Sequence, residues 1–164
     1  KHFDNLEGAS EGGGNLEIFK NFKSEDFLTY LKKILSYNKK VILLYPIPEV
    51  GFNVPRKVFN NLYKNPFIKD KNILNENILI HKPVTTSSHV YHLRSKSSFE
   101  LLSKIKDPNL YRIYPHEIFC DSFVKDRCIT HDEKNLFYSD YNHPSVYGSD
   151  LINDLIISKI NSFR

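Results

Sequence analysis

Phe137-Tyr138-Ser139-Asp140-Tyr141-Asn142-His143-Pro144-Ser145-Val146-Tyr147-Gly148 carries the chain from an apolar segment, through a polar turn, into its last helix. An acid and an imidazole, Asp140 and His143, stand three positions apart on that turn. Pro144 has no backbone N–H and a fixed φ, which suits the first position of a helix. The residue before a proline is pushed out of the α region. His143 is therefore expected to be extended, with its ring free to point into a cleft. Asp140 can fold back across the turn and accept a hydrogen bond from one ring nitrogen, which leaves the other as a general base. This is the base-and-orienter half of a nucleophilic triad. The plain alternative is an acid that caps a helix beside an incidental histidine.

The surroundings favour the first reading. An apolar strand, Leu136-Phe137-Tyr138, feeds the turn. An amphipathic helix over residues 144–163 leaves it, with Leu151, Ile152, Leu155, Ile156 and Ile160 on one face. In open α/β sheets, sites collect in loops at the C-terminal ends of strands. Gly148 costs helix stability relative to alanine, and it fits a place where a neighbouring loop comes close.

Upstream, helix and strand alternate. Ser24 is a good N-cap, and Phe27, Leu28, Leu31, Ile34 and Leu35 recur at helical spacing. Val41-Ile42-Leu43-Leu44-Tyr45 is an unbroken apolar run, which fits a central parallel strand buried on both faces. Pro46 and Pro48 end it. The loop that follows is expected to border the same rim as Asp140 and His143, with Glu49 as a solvated charge there. Residues 55–63 read as a short helix. Residues 65–83 read as an irregular excursion with one short strand, Ile78-Leu79-Ile80.

Thr85 to Ser88 form a hydroxyl cluster before His89 and His92. No Gly-x-Ser-x-Gly turn is present, so they read as a helix cap rather than a nucleophile. Ser97-Ser98-Phe99-Glu100 fits a capping box that opens a further helix. Leu110-Tyr111-Arg112-Ile113-Tyr114 is a second strand, stopped by Pro115. Residues 1–15, with Gly8, Gly12, Gly13 and Gly14, read as a flexible leader or exposed loop, and residues 16–164 as one domain.

A chain of 164 residues suits one domain with a sizeable core. Its 12 Phe and 10 Tyr supply large apolar bodies where Trp and Met are lacking. The net charge of +4 is scattered among Asn, Asp and Glu, so it reads as a solvated basic surface and argues against nucleic acid as a partner. No apolar run approaches the length of a membrane span. Cys120 and Cys128 bracket a polar loop. They form either a small-loop disulfide in an oxidising compartment or two partly buried thiols in a reducing one, and the bracketed loop favours the disulfide.

Together these pieces resemble the C-terminal portion of an SGNH (GDSL-type) hydrolase domain. More narrowly, they resemble the extracytoplasmic SGNH domain fused to acyltransferase-3 membrane proteins, which O-acetylate bacterial surface polysaccharides. The matching pieces are residues 41–49, the Cys120 and Cys128 pair after a strand and Pro115, and residues 136–145 before the final helix. The Asp-x-x-His turn is the most specific of them. The resemblance covers residues 16–164. It implies an α/β protein with a three-layer αβα, flavodoxin-like SGNH-hydrolase fold and a mostly parallel sheet, lacking its N-terminal strand or strands in this chain.

It also implies a Ser-His-Asp triad in which His143 is the base and Asp140 the acid, with no metal or cofactor. The implied acceptor is carbohydrate, such as O-antigen or another surface glycan. The implied place is extracytoplasmic (periplasmic), tethered to the inner membrane through a fused or associated acyltransferase domain. The family's serine belongs to a Gly-Asp-Ser block, which this sequence lacks; Gly148-Ser149-Asp150 has the wrong order. The serine is therefore expected upstream of this chain, or the chain is an inactive relative. A different class of function is a non-catalytic domain that binds a glycan or a partner, with Tyr111, Tyr141 and Tyr147 stacking on sugars.

Overall fold

The structure is a computed structural model that describes residues 24–63 and 83–163. The leader at 1–15 and the strand expected at 78–80 lie outside the described residues. The first helix, α1 (Ser24–Ser36), follows the expected apolar spacing and buries Leu31 and Leu35. Asn38 then turns the chain with φ of 55°, in the left-handed region that asparagine tolerates better than most residues. Strand β1 (Val41–Leu44) runs parallel to β3 (Leu110–Ile113), with Val41 opposite Leu110 and Leu44 opposite Ile113.

Successive side chains on a strand point to opposite faces. Val41, Leu43 and Leu110 pack with Leu31, Leu35 and Ile105 beneath α1. On the other face, Tyr111 meets the Phe163 ring at 4.1 Å, just past the last helix, α5 (Val146–Asn161), which packs on β3. Helix thus covers both sides of the parallel pair, as αβα layering requires. Yet β1 is not buried on both faces as its apolar run implies. Val41, Ile42 and Leu43 are half-buried and Leu44 is 39% exposed. Its only strand partner among the described residues is β3, so its other edge is open.

Between these strands lie α2 (Val54–Tyr63), β2 (Thr85–Ser87) and α3 (Ser88–Leu102). The hydroxyl of Ser87 accepts from Val90 N at 3.3 Å and caps α3, as the hydroxyl cluster suggests. Helix α3 then continues unbroken through residues 97–100, so the second cap expected there does not form. No Gly or Pro interrupts residues 88–102, and a Ser-Ser pair alone does not stop a helix that packs on a core.

After β3, the single turn α4 (His116–Phe119) leads to Cys120. Cys120 is disulfide-bonded to Cys128, which lies in β4 (Arg127–Ile129). Strand β4 pairs antiparallel with β2. This second sheet has no counterpart in the sequence reading, because its strands are three residues long and Thr-Thr-Ser carries no apolar alternation. Arg127 ties the pair by donating to Thr85 Oγ1 and to Thr85 O, each at 2.9 Å.

The larger core joins Val50, Val54, Val58, Val84, Tyr91, Phe119, the disulfide, Phe137, Tyr138 and Ile152. It gathers the loop after β1, α2, α3 and the start of α5 around one centre. Residues 136–138 are not a strand but make isolated bridges, His131 with Leu136 and Tyr138 with Pro144. Their partners change at each step: Phe137 N donates to Thr130 O at 2.8 Å, while Phe137 O accepts from Ser145 N at 2.9 Å. Buried His131 fixes the neighbouring chain, accepting from Val84 N at Nε2 (2.8 Å) and donating from Nδ1 to Asp132 O (3.0 Å). Burial lowers its basicity, so the neutral ring that this pattern needs is favoured.

Candidate active site

The turn is built by Asp140. Its Oδ1 accepts from Asn142 N at 2.9 Å and from His143 N at 2.8 Å. Its Oδ2 accepts from His143 Nδ1 at 2.7 Å. One carboxylate therefore folds the backbone and orients the ring at once. Backbone hydrogen bonds from Asn142 and His143, then the ring itself, lower the Asp140 carboxyl to about 2. It is therefore a carboxylate at neutral and mildly acidic pH. Ser139 closes the turn, its N and its Oγ both donating to His143 O, at 2.9 and 3.1 Å.

The His143 side chain is 69% exposed, against 29% for Asp140. With Nδ1 held by the carboxylate, Nε2 is the nitrogen left for a reacting group. No hydrogen bond to Nε2 forms among the described residues.

Pro144 does not open the helix. The N-cap is Ser145, whose Oγ accepts from Gly148 N at 3.0 Å and donates to Leu136 O at 2.5 Å. Pro144 precedes it, occupied by its bridge with Tyr138. A capping hydroxyl satisfies an orphan N–H, which proline at the same place cannot do. Gly148 allows the close packing: a Cβ there would stand 2.1 Å from the carbonyl oxygen of Phe137.

The loop after β1 meets the turn directly. Val50 N and Gly51 N donate to Tyr141 O at 3.0 and 3.4 Å, and Val54 N donates to Asp140 O at 3.1 Å. Gly51 turns the chain there with φ of 81°, a conformation that disfavours residues with a Cβ. Two tyrosines hold the Pro-x-Pro segment from below. Tyr91 OH donates to Pro46 O and Tyr138 OH to Pro48 O, both at 2.8 Å. Burial raises the Tyr91 hydroxyl to about 12 and pushes the Tyr138 hydroxyl up as well, so both remain donors. The sequence reading missed these two anchors. The available signal was tyrosine, rather than phenylalanine, at apolar positions of a chain with proline-rich carbonyls to satisfy.

Other candidates fall elsewhere. Glu49 pairs with Arg94 at 2.7 Å on a partly exposed surface and takes no part in the Asp140–His143 pair. Ser88 is buried, its hydroxyl donating to Asp121 Oδ2 at 3.1 Å. His92 lies against His116, with ring centres 5.3 Å apart. Tyr111 packs on Phe163. The arrangement around His143 thus offers one chemical act: an oriented, solvent-facing imidazole that can take a proton at Nε2 while a permanent anion stabilises the resulting cation.

No curated protein and no solved structure matches the chain. A family model described as the SGNH domain (fused to AT3 domains) matches residues 3–158. With that match running through both strands of the parallel pair, the disulfide and the Asp140–His143 turn, this chain belongs to the SGNH domain family of the kind fused to AT3 domains.

Proposed function

We propose that the domain moves O-acyl groups on bacterial surface carbohydrate through a Ser-His-Asp triad, with His143 and Asp140 as two of its members. The serine is supplied upstream of this chain. His143 Nε2 takes the serine proton as the oxygen attacks the acyl carbonyl. The proton then passes to the leaving oxygen as its bond to the acyl carbon breaks, giving an acyl-enzyme. In the second half, His143 takes a proton from water or a sugar hydroxyl as that oxygen attacks the same carbonyl, and returns it to the serine oxygen as the serine–acyl bond breaks. Asp140 keeps Nδ1 protonated throughout and does not itself take the proton.

The observation that carries this reading is the 2.7 Å contact between Asp140 Oδ2 and Nδ1 of an exposed His143 ring. The family's fusion to AT3 domains supports an associated membrane acyltransferase, and the Cys120–Cys128 disulfide supports an extracytoplasmic place. In this reading the tether is the fused domain; no helix among the described residues is long and apolar enough to cross a membrane.

Asp140→Asn tests the role of the acid. The amide oxygen can still accept from the backbone N–H groups of Asn142 and His143 and keep the turn. Its NH2, facing the ring, demands the opposite tautomer. Turnover of p-nitrophenyl acetate by the full-length protein is expected to fall on the order of 10²–10⁴-fold with the fold intact. Turnover equal to that of the unaltered protein would rule out the orienting role.

A further inference from the structure

A concave feature lies at the start of α5, bounded by Tyr147 and the loop at 131–135. A cavity of about 410 Å3 is lined by Pro83, Phe123, Ile129, Asp132, Asn135 and Tyr147. That volume falls within the range of small-ligand pockets, roughly 300–1,000 Å3. Its walls are fixed by structure already described. Phe123 sits in the loop closed by the disulfide, and Tyr147 sits in the first turn of α5. The Tyr147 ring stacks on Phe137 with centres 5.8 Å apart.

The polar groups are pre-oriented too. Asp132 Oδ1 accepts from Lys134 N at 2.7 Å and Asn135 N at 2.6 Å. Asn135 Nδ2 donates to both Asp132 oxygens, at 3.2 and 3.1 Å, and the same carboxylate pushes the nearby Tyr147 hydroxyl up. With Nδ2 turned to Asp132, no hydrogen bond to the Asn135 carbonyl oxygen forms among the described residues.

The chemistry of the lining selects among ligands. Phe123 is 63% exposed and Tyr147 37% exposed, so two aromatic rings offer apolar surface at one site. Asp132, Glu133 and Lys134 bring two negative charges and one positive, which disfavours an anion. A hydrocarbon would cover the rings and Ile129 but offer no donor to the Asn135 carbonyl oxygen. A neutral ring with one C–H face and a hydroxyl edge satisfies both halves.

We propose that this cavity is a subsite for one neutral pyranose ring of the acceptor glycan. Tyr147 follows His143 by four residues, so their Cα atoms are at most about 14 Å apart. A glycan seated on Phe123 and Tyr147 therefore places neighbouring sugars within reach of the proposed base. The role as acceptor subsite rests on the acyl-transfer reading, whereas the binding itself does not.

The test is a titration of the full-length protein with methyl α-D-glucopyranoside, methyl α-L-rhamnopyranoside and methyl N-acetyl-β-D-glucosaminide, followed by amide NMR shifts. At least one glycoside is expected to shift Phe123, Asn135 and Tyr147, with Kd on the order of 1 mM. Phe123→Ala and Asn135→Ala are each expected to raise that Kd about 10-fold, a loss of ~1.4 kcal/mol. Phe123→Leu, which keeps an apolar side chain but no ring, is expected to weaken binding as well. Shifts at none of the three residues with any glycoside, or an unchanged Kd in the variants, overturns the proposal. The same titration with His143→Ala separates the two readings: sugar binding persists there even if that variant shows the triad to be wrong.

Discussion

Replacing His143 with alanine in the full-length protein is expected to lower kcat for p-nitrophenyl acetate by about 10³-fold, with little change in Tm. The first half of this expectation follows from the geometry. The ring holds the nitrogen that the proposal makes the proton acceptor, and Asp140 holds the ring. The second half follows from exposure. A side chain 69% exposed contributes little packing, and the turn is folded by backbone N–H groups that the variant keeps. Loss of Nδ1 removes one surface hydrogen bond, an interaction of small net worth in water. Equal rates in the two proteins would remove His143 from the mechanism. A rate loss that tracked loss of fold would make the histidine structural instead.

Gly148→Ala is expected to have the largest effect on stability. The new methyl would lie 2.1 Å from Phe137 O and 3.0 Å from its carbonyl carbon, both main-chain atoms. Phe137 cannot easily give way. Its N–H is bonded to Thr130, its carbonyl to Ser145, and its ring is buried against Phe119. Alanine would gain about 1 kcal/mol of helix propensity, but overpacking against a fixed backbone costs about 1–3 kcal/mol or more. The clash wins because it is relieved only by moving α5 away from the core. At a net loss of about 2 kcal/mol, a fall in Tm of roughly 4–8 °C is expected by thermal unfolding. Asn153→Ala, on an exposed position of the same helix, should stay within about 2 °C. A Gly148→Ala protein as stable as its parent would show that α5 and residues 136–138 are not packed as described.

The parts of this protein that were legible in its sequence are those with a strong local rule. Leu28, Leu31 and Leu35 announce α1 by spacing, and Val41 to Leu44 announce β1 by an unbroken apolar run. The Asp-x-x-His turn is legible because both members lie within one hydrogen-bonded turn, where chain geometry nearly dictates contact. What was not legible depends on partners far along the chain. Strands β2 and β4 exist because Thr85–Ser87 finds Arg127–Ile129 beside the disulfide, and neither segment signals extension by itself. The exposure of Leu44 depends on which neighbours β1 has, not on its own residues. The start of α5 at Val146 rather than Pro144 was decided by a capping hydroxyl and a bridge to Tyr138. The same holds for the loop after β1. Its prolines mark it as a turn, but only tertiary packing sets two tyrosine hydroxyls beneath it and the Tyr141 carbonyl against it.

The pairing of acid and ring is open to direct observation by long-range 1H–15N NMR of the neutral His143 imidazole. Asp140 accepting at 2.7 Å predicts a proton on Nδ1 and a bare Nε2, the reverse of the tautomer that free histidine prefers. An imidazole that carries its proton on Nε2 when neutral, in the unaltered protein, would contradict the account at its centre.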